Sequence, residues 1–235
     1  MKKVLLFLLL CSFLSGEELI YFLKSGKGYE AVGLTSEAKI SQINPNLEVI
    51  NLELSGNKLT PIKSGFSYYH LLELKLKDSV AKHYFKTRGG ELAKTQVLEY
   101  KNSSLDIIPV RLPSQKGNFT SSRSYKFKLL FRGKPLPYHR VTLRTLNGSE
   151  VKLLSDEKGV FKLKLPDDLS CRESSTFILS SSFVANNKEY KVSLSEEYIA
   201  NSLRCSRSQT LGVLAIVLGM AGGVVLYRRV KNVKS

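Results

Sequence analysis

Apolar and polar residues alternate with a period of two along most of this chain, and this alternation restricts its fold more than any other feature. The runs Leu72–Leu76, Phe127–Phe131 and Phe161–Leu165 place Leu or Phe at every second position. Successive side chains of a strand point to opposite faces, so the pattern predicts strands with one buried face. Turn signals such as Asn147-Gly148 separate the runs. Short strands of this kind need a second sheet to cover them, which predicts an all-β fold.

A loop-like stretch divides the strands into two groups. Residues 112–123 contain a proline, a glycine and several serines, and they predict a linker. It would separate an N-terminal β-domain, 17–111, from a second β-domain, 124–198, which a stalk at 199–209 follows. We therefore expect two small β-sandwich-like domains, with Glu91–Lys101 as the one segment in which a helix is expected.

The first 16 residues have the features of a secretory signal peptide. Lys2 and Lys3 precede the apolar run Val4–Leu10, which is too short to span a bilayer, and small residues follow. Cleavage after Gly16 is the favoured reading. The alternative is a lipoprotein signal that ends at Cys11.

Residues 210–227 predict a C-terminal transmembrane helix. At about 1.5 Å per residue, Leu211 to Tyr227 reach roughly 25 Å, and the preceding polar residues bring the run close to the thickness of a bilayer core. A buried core helix is the alternative, but a terminal run with a basic end favours the membrane. Positive residues favour the cytoplasmic side, so the tail 228–235 is expected inside and the β-body outside. The basic residues of the tail are Arg228, Arg229, Lys231 and Lys234.

One face of the predicted membrane helix carries small residues at intervals of four. They are Ala215, Gly219 and Gly223. This spacing lets two membrane helices approach closely. A transporter subunit could therefore pack against the helix, although glycine is common in membrane helices in any case.

The formal charge of +16 at first suggests nucleic acid, because Lys and Arg drive binding to phosphates. The predicted signal and tail, however, carry six of the 36 basic residues and none of the 20 acidic ones. The remaining charge belongs to an exported body, which does not meet genomic nucleic acid. A basic exterior then favours solubility or attraction to anionic envelope surfaces. Pairs such as Lys126 with Lys128 and Lys162 with Lys164 read as solvated strand faces.

Two of the three cysteines remain once the signal is removed. Cys171 and Cys205 would lie in an oxidising compartment, and neither has metal-ligand spacing around it. We predict a disulfide between them. In the chain-entropy model, a disulfide that closes a loop of roughly 35 residues stabilises the fold by about 4 kcal/mol. Two free thiols are the alternative.

The second predicted domain resembles transthyretin-like or immunoglobulin-like modules of bacterial envelope proteins. The residues that carry the resemblance are Phe131–Pro137, Val141–Leu143 and Ser155–Phe161. Gly133 and Pro135 fix one turn, and Asp156 to Gly159 form a second turn that returns Phe161 to the core. The resemblance implies a β-sandwich and implies nothing about a ligand.

A wider resemblance covers residues 80 to 165. His83–Thr87, Leu105–Val110 and Gly133–Pro135 follow each other in the order seen in a family of exported bacterial proteins often described as NikM-like components of nickel or cobalt uptake. The resemblance implies a role in transition-metal uptake at the inner membrane. Relatives that look metal-related often carry His just after the signal, whereas this chain has Glu17 and Glu18 there.

The three histidines are the only candidates for nickel or cobalt ligands. They are His70, His83 and His139, and no His-x-His or Cys-x₂-Cys spacing accompanies them. His70 follows two tyrosines and precedes a leucine, and a histidine in such a position is more often a strand-edge or core residue than a ligand. The other two are flanked by Lys82 and Arg140, which disfavour a cation.

Two functions remain open, and neither is enzymatic. The chain lacks a Gly-x-Ser-x-Gly elbow, a His-Glu-x-x-His motif and a phosphate-binding glycine loop. The first function is a membrane-anchored accessory protein that assists nickel or cobalt uptake, by capturing the metal or by docking to a transporter. The alternative is a structural or adhesive β-module of the cell envelope without a metal role.

Overall fold

A computed structural model describes residues 19–34, 38–63, 65–87, 91–92, 96–114 and 117–201, and the described chain is all-β. It contains no helix in these ranges. The strands are β1 (Tyr21–Ser25), β2 (Gly28–Val32), β3 (Lys39–Ile43), β4 (Val49–Leu52), β5 (Lys58–Leu59), β6 (Phe66–Lys75), β7 (Ser79–Thr87), β8 (Glu91–Leu92), β9 (Leu105–Pro109), β10 (Phe119–Thr120), β11 (Ser124–Phe131), β12 (Lys134–Pro135), β13 (Arg140–Thr145), β14 (Glu150–Leu154), β15 (Val160–Lys164), β16 (Ser174–Ala185) and β17 (Lys188–Ile199).

The strands form a large central sheet that is covered on both faces by smaller sheets. The central sheet has the order β14-β13-β16-β17-β7-β6-β3-β4. The N-terminal sheet consists of β1, β2 and β5, and the outer sheet consists of β9, β11, β12 and β15. Most neighbours are antiparallel, but β17 and β7 run parallel at the middle of the central sheet.

Two hydrophobic cores lie on opposite faces of the central sheet. One core includes Phe127 and Phe161 of the outer sheet together with Phe177 of the central sheet. The other core packs Phe22 of the N-terminal sheet against Leu72 and neighbouring residues of β6 and β7. Strands β6 and β7 are therefore buried on both sides, which explains their nearly continuous burial.

The predicted turn around Asp156–Gly159 is confirmed. Asp156 accepts hydrogen bonds from the backbone of Lys158 at 2.9 Å and of Val160 at 2.8 Å. Gly159 has a φ of +69°, and a Cβ there would lie 2.7 Å from the carbonyl oxygen of Leu129. Only glycine satisfies both the positive φ and the close backbone approach.

Strands from both sides of the predicted linker share one sheet and one core. β7 pairs with β17, and β9 pairs with β11. Within residues 112–123, β10 pairs with β17 as well. The division into 17–111 and 124–198 stays a prediction, and the described strands do not separate along it.

The expectation of a helix in Glu91–Lys101 is wrong for the part of this segment that the structure describes. Glu91–Leu92 form strand β8 against β6, and residues 97–99 form a turn. Val97 of this turn is buried in the core that the outer sheet shares with the central sheet.

Candidate functional site

A cleft opens where the two parallel central strands separate. β7 and β17 pair from Ser79 with Lys191 to Lys82 with Leu194, and their backbone ladder ends there. Beyond that point side chains replace the ladder. The backbone N–H of Tyr84 donates to the Glu196 carboxylate at 2.7 Å, and the His83 Nδ1–H donates to the Ser195 carbonyl at 2.7 Å. We call this space the β7–β17 cleft.

The β7–β17 cleft has a volume of about 690 Å³ and a mixed lining. Cations are contributed by Lys24, Lys27, Lys63 and Lys86, and carboxyls by Glu196 and Glu197. Aromatic rings and short polar side chains complete it, among them Tyr29, Tyr69, Phe119, Thr60, Thr87 and Asn118. Parts of the chain that lie far apart in the sequence, and that no single sequence motif joins, thus build one concave surface.

Lys86 fixes one wall of the cleft. Its ammonium lies 5.0 Å from the centre of the Tyr69 ring, within the range of a cation–π contact. It also donates to the carbonyl oxygens of Ser114, at 3.1 Å, and of Gly117. These contacts tie Ser114 and Gly117 to β7, so this wall is in place without a ligand.

Burial changes the protonation of the groups at the base of the cleft. Glu196 is 4% exposed. Its burial, with Glu197 beside it, raises the pKa of its carboxyl well above the ordinary range, although the Tyr84 N–H and Lys86 oppose this shift. Burial also lowers the pKa of His83 to about 4, against the opposing effect of its bond to Ser195. His83 is therefore a neutral imidazole at pH 7.

A second set of ionisable groups is buried away from the cleft. Lys82 is fully buried, and its ammonium lies 2.7 and 2.8 Å from the two carboxylate oxygens of Asp106. It also lies 3.5 Å from Glu73, which pairs with Lys75 at 3.0 Å and accepts from Ser103 at 2.8 Å. Two cations thus balance two carboxylates, and every member has a partner. This buried cluster joins β6 and β7 to β9 and offers no open position for a ligand.

Four exposed lysines gather on the solvent side of the outer sheet. They are Lys126, Lys128, Lys162 and Lys164, which we call the lysine face. Lys126 lies directly opposite Lys162 on the neighbouring strand. Within the described chain, no ion pair involves any of the four. The sequence shows these lysines as two separate pairs, and only the β11–β15 register brings them together.

The predicted metal candidates do not converge. His70 is buried beside Phe85, with ring centres 5.1 Å apart, and its Nδ1 lies 3.2 Å from the Tyr68 carbonyl. His83 stacks near Tyr29, and His139 places Nε2 at 2.7 Å from the Ser182 carbonyl, on another part of the sheet.

Among the described residues, no group of three His, Cys, Asp or Glu side chains could hold a metal ion. The side chains present there do not fit a nickel or cobalt site, and no chemistry through such a metal follows from them.

Several predicted features fall outside the described residues. These are the signal 1–16, the stalk from residue 202, the membrane span 210–227 with Ala215, Gly219 and Gly223, and the basic tail. No helix in the described ranges is long and apolar enough to cross a membrane. Cys171 is disulfide-bonded, but Cys205 is not among the described residues, so the Cys171–Cys205 pairing stays a prediction.

Comparisons with known proteins show no family for this chain. No protein-family model matches the sequence, and no curated protein matches it. One similar solved structure is a tetra-tandem repeat in the extending region of a large adhesion protein, with 10% identity, a TM-score of 0.28, and coverage of 77% of this chain and 48% of that chain.

A second similar structure concerns the host cell surface retention of a 1.5-MDa bacterial ice-binding adhesin. It has 10% identity, a TM-score of 0.28, and coverage of 74% of this chain and 57% of that chain. This chain therefore spans about half the length of the solved chains it matches. Structural similarity at this identity and TM-score supports no conclusion about function.

Proposed function

We propose that this protein is an adhesive or structural β-module of the cell envelope, which attaches to anionic envelope polymers through the lysine face. In this proposal the signal exports the chain, and the span 210–227 anchors it in the inner membrane with the β-body outside. The module would hold or space envelope layers and would perform no reaction. This is the second of the two functions that the sequence leaves open.

The observation that carries the proposal is the direct opposition of Lys126 and Lys162. Like charges at directly opposite positions of an antiparallel pair destabilise a sheet, because the two side chains lie close together on one face. Lys128 and Lys164 extend the same charge along the two strands. A face that keeps this repulsion is suited to an anionic partner, which would remove it on binding.

Retention on an immobilised anionic polymer tests the proposal. The full chain, solubilised in detergent, is passed over polygalacturonate resin and over neutral dextran resin at increasing salt. We expect retention on polygalacturonate only, with elution as salt screens the exposed charges.

A matched pair of variants separates the lysine face from net charge. The test variant replaces its four lysines by Gln, and the control replaces the exposed Lys39, Lys58, Lys77 and Lys101 by Gln. Both variants lose the same charge. We expect the test variant to elute at clearly lower salt than the control. Equal elution of the two variants, or equal retention on the neutral resin, would refute the proposal.

A further inference from the structure

The β7–β17 cleft provides a second kind of surface, separate from the lysine face. Its volume of about 690 Å³ lies within the range of small-molecule sites, which is roughly 300 to 1,000 Å³. Its residues come from β1, β2, β6, β7 and β17, from the turn between β1 and β2, and from residues 60–63, 113 and 118–119. The lysine face lies on β11 and β15. The two surfaces can therefore be altered independently.

The charges that line the cleft favour an anion. Lys24 and Glu197 form an ion pair at 3.1 Å and offset each other. Burial raises the pKa of the Glu196 carboxyl, which favours its neutral form. Lys27 and Lys63 are exposed, and within the described chain neither takes part in an ion pair. A ligand in the cleft thus meets two cations that form no ion pair with any carboxylate of the described residues.

The uncharged lining favours a ring that carries hydroxyl groups. Tyr29 is half-buried and adds aromatic surface, and burial raises the pKa of its phenol, so it keeps its proton at neutral pH. Thr60 and Asn118 add a hydroxyl and an amide. Side chains of these types both donate and accept hydrogen bonds, which suits a ligand with several hydroxyl groups.

The cleft is built before any ligand arrives. Glu196 is held by the Tyr84 N–H, His83 by the Ser195 carbonyl, and Lys86 by the carbonyls of Ser114 and Gly117. Tyr29 packs on the His83 ring with centres 4.6 Å apart. A preformed site avoids part of the ordering cost of binding.

We propose that the β7–β17 cleft binds an anionic sugar, that is, a pyranose ring with a carboxylate or a phosphate group. The ring lies against Tyr29, its hydroxyl groups bond to the polar lining, and its anionic group pairs with Lys27 and Lys63. The inference does not depend on the proposed function, because it uses no residue of the lysine face. The chain would then recognise individual sugar units in addition to any polymer held by charge.

Isothermal titration of the full chain in detergent tests the cleft with defined probes: glucuronate, glucose 6-phosphate, glucose and AMP. We expect binding of one or both anionic sugars, with glucose about tenfold weaker or more because it lacks the charge. The better of the two anionic sugars identifies the charged group. Absence of binding for both, or glucose binding equal to theirs, would overturn the proposal, and tighter binding of AMP would reassign the cleft to nucleotides.

A charge-matched variant pair locates the binding. K27Q/K63Q changes two exposed lysines of the cleft, and K58Q/K101Q changes two exposed lysines elsewhere. We expect the first pair to weaken anionic-sugar binding by about fivefold or more and the second to change it by less than about twofold. An equal effect of the two pairs would place the ligand outside the cleft. The salt concentration at which K27Q/K63Q elutes from polygalacturonate, compared with that of K58Q/K101Q, shows separately whether the lysine face still binds the polymer.

Discussion

Lys82 and Asp106 form a bidentate ion pair that is buried between the central sheet and strand β9. The ammonium lies 2.7 and 2.8 Å from the two carboxylate oxygens, and neither residue is more than 3% exposed. A buried pair contributes little compared with a well-packed apolar pair, but removal of one partner leaves an uncompensated charge. We therefore expect the pair to specify which strands meet more than it adds to stability.

Replacement of Lys82 by Met tests this account of the pair. We expect Lys82→Met to lower the free energy of unfolding by about 3 to 5 kcal/mol, because Asp106 and Glu73 lose their shared cation. Chemical denaturation measures the change. The double variant Lys82→Met/Asp106→Leu should recover part of the loss, since it removes one of the stranded carboxylates. A double variant as unstable as the sum of the two single variants would show that the charges are not coupled.

The sequence predicts the faces of the strands well and the pairing between distant strands poorly. Alternation in β11 and β15 correctly places Phe127 and Phe161 inside and Lys126 and Lys162 outside, because side-chain direction is local. That the two lysines lie opposite each other depends on the register of strands about 35 residues apart. The cleft depends on where β7 and β17 separate, which no local pattern encodes. Its nearest sequence signal is Glu196, a carboxylate at an inward-facing position of a strand.

The buried His83 predicts a loss of stability in mild acid. Its pKa falls from an ordinary 6.5 to about 4 in the folded chain. Between these values the unfolded chain binds a proton that the folded chain does not, so stability decreases as pH falls through this window. We expect His83 alone to remove about 2 kcal/mol between pH 7.5 and pH 5.

The variant His83→Asn isolates this contribution. Its side-chain amide can donate to the Ser195 carbonyl as the imidazole does, but it does not titrate. Denaturation at pH 7.5 and pH 5 should therefore show a smaller loss in the variant than in the native chain. Equal pH dependence of the two proteins would mean that His83 is not the responsible group.

Protonation of Asp168 is expected to destabilise the fold at a lower pH than protonation of His83. Partial burial alone would raise its pKa, but hydrogen bonds from Tyr198, Thr145 and Ser149, at 2.5, 2.7 and 2.8 Å, outweigh burial and lower it. A lowered carboxyl pKa stabilises the fold above the pKa of the unfolded state, and this stabilisation is lost as pH falls through the folded-state pKa.

We expect Asp168→Asn to cost about 1 kcal/mol at pH 7, a figure reduced for solvent screening at this partly exposed side chain. The cost should diminish as pH falls below the ordinary carboxyl pKa and the native carboxyl takes up a proton as well. Thermal unfolding at pH 7 and at a series of lower pH values measures it. A cost that stays the same at low pH would assign the effect to packing and not to the charge.

The contribution of the Glu196 carboxyl to folding stability is expected to have the opposite pH dependence. Burial, with Glu197 nearby, raises its pKa in the folded chain. The folded chain therefore holds a proton that the unfolded chain has released, so stability is full below the ordinary carboxyl pKa and decreases as pH rises above it. Glu196→Gln keeps an acceptor for the Tyr84 N–H and cannot ionise.

We expect Glu196→Gln to be more stable than the native chain at pH 8 by about 1 kcal/mol or more, since one pKa unit corresponds to about 1.4 kcal/mol. Near pH 4.5 the two proteins should be equal, because Glu196 is then neutral in the folded state. Denaturation curves at the two pH values give the comparison, with Glu197→Gln, a partly exposed neighbour, as the control. If the variant is less stable than the native chain at pH 8, the folded protein favours the ionised Glu196 carboxylate. The β7–β17 cleft would then carry one more negative charge, and one reason for its net positive charge would be lost.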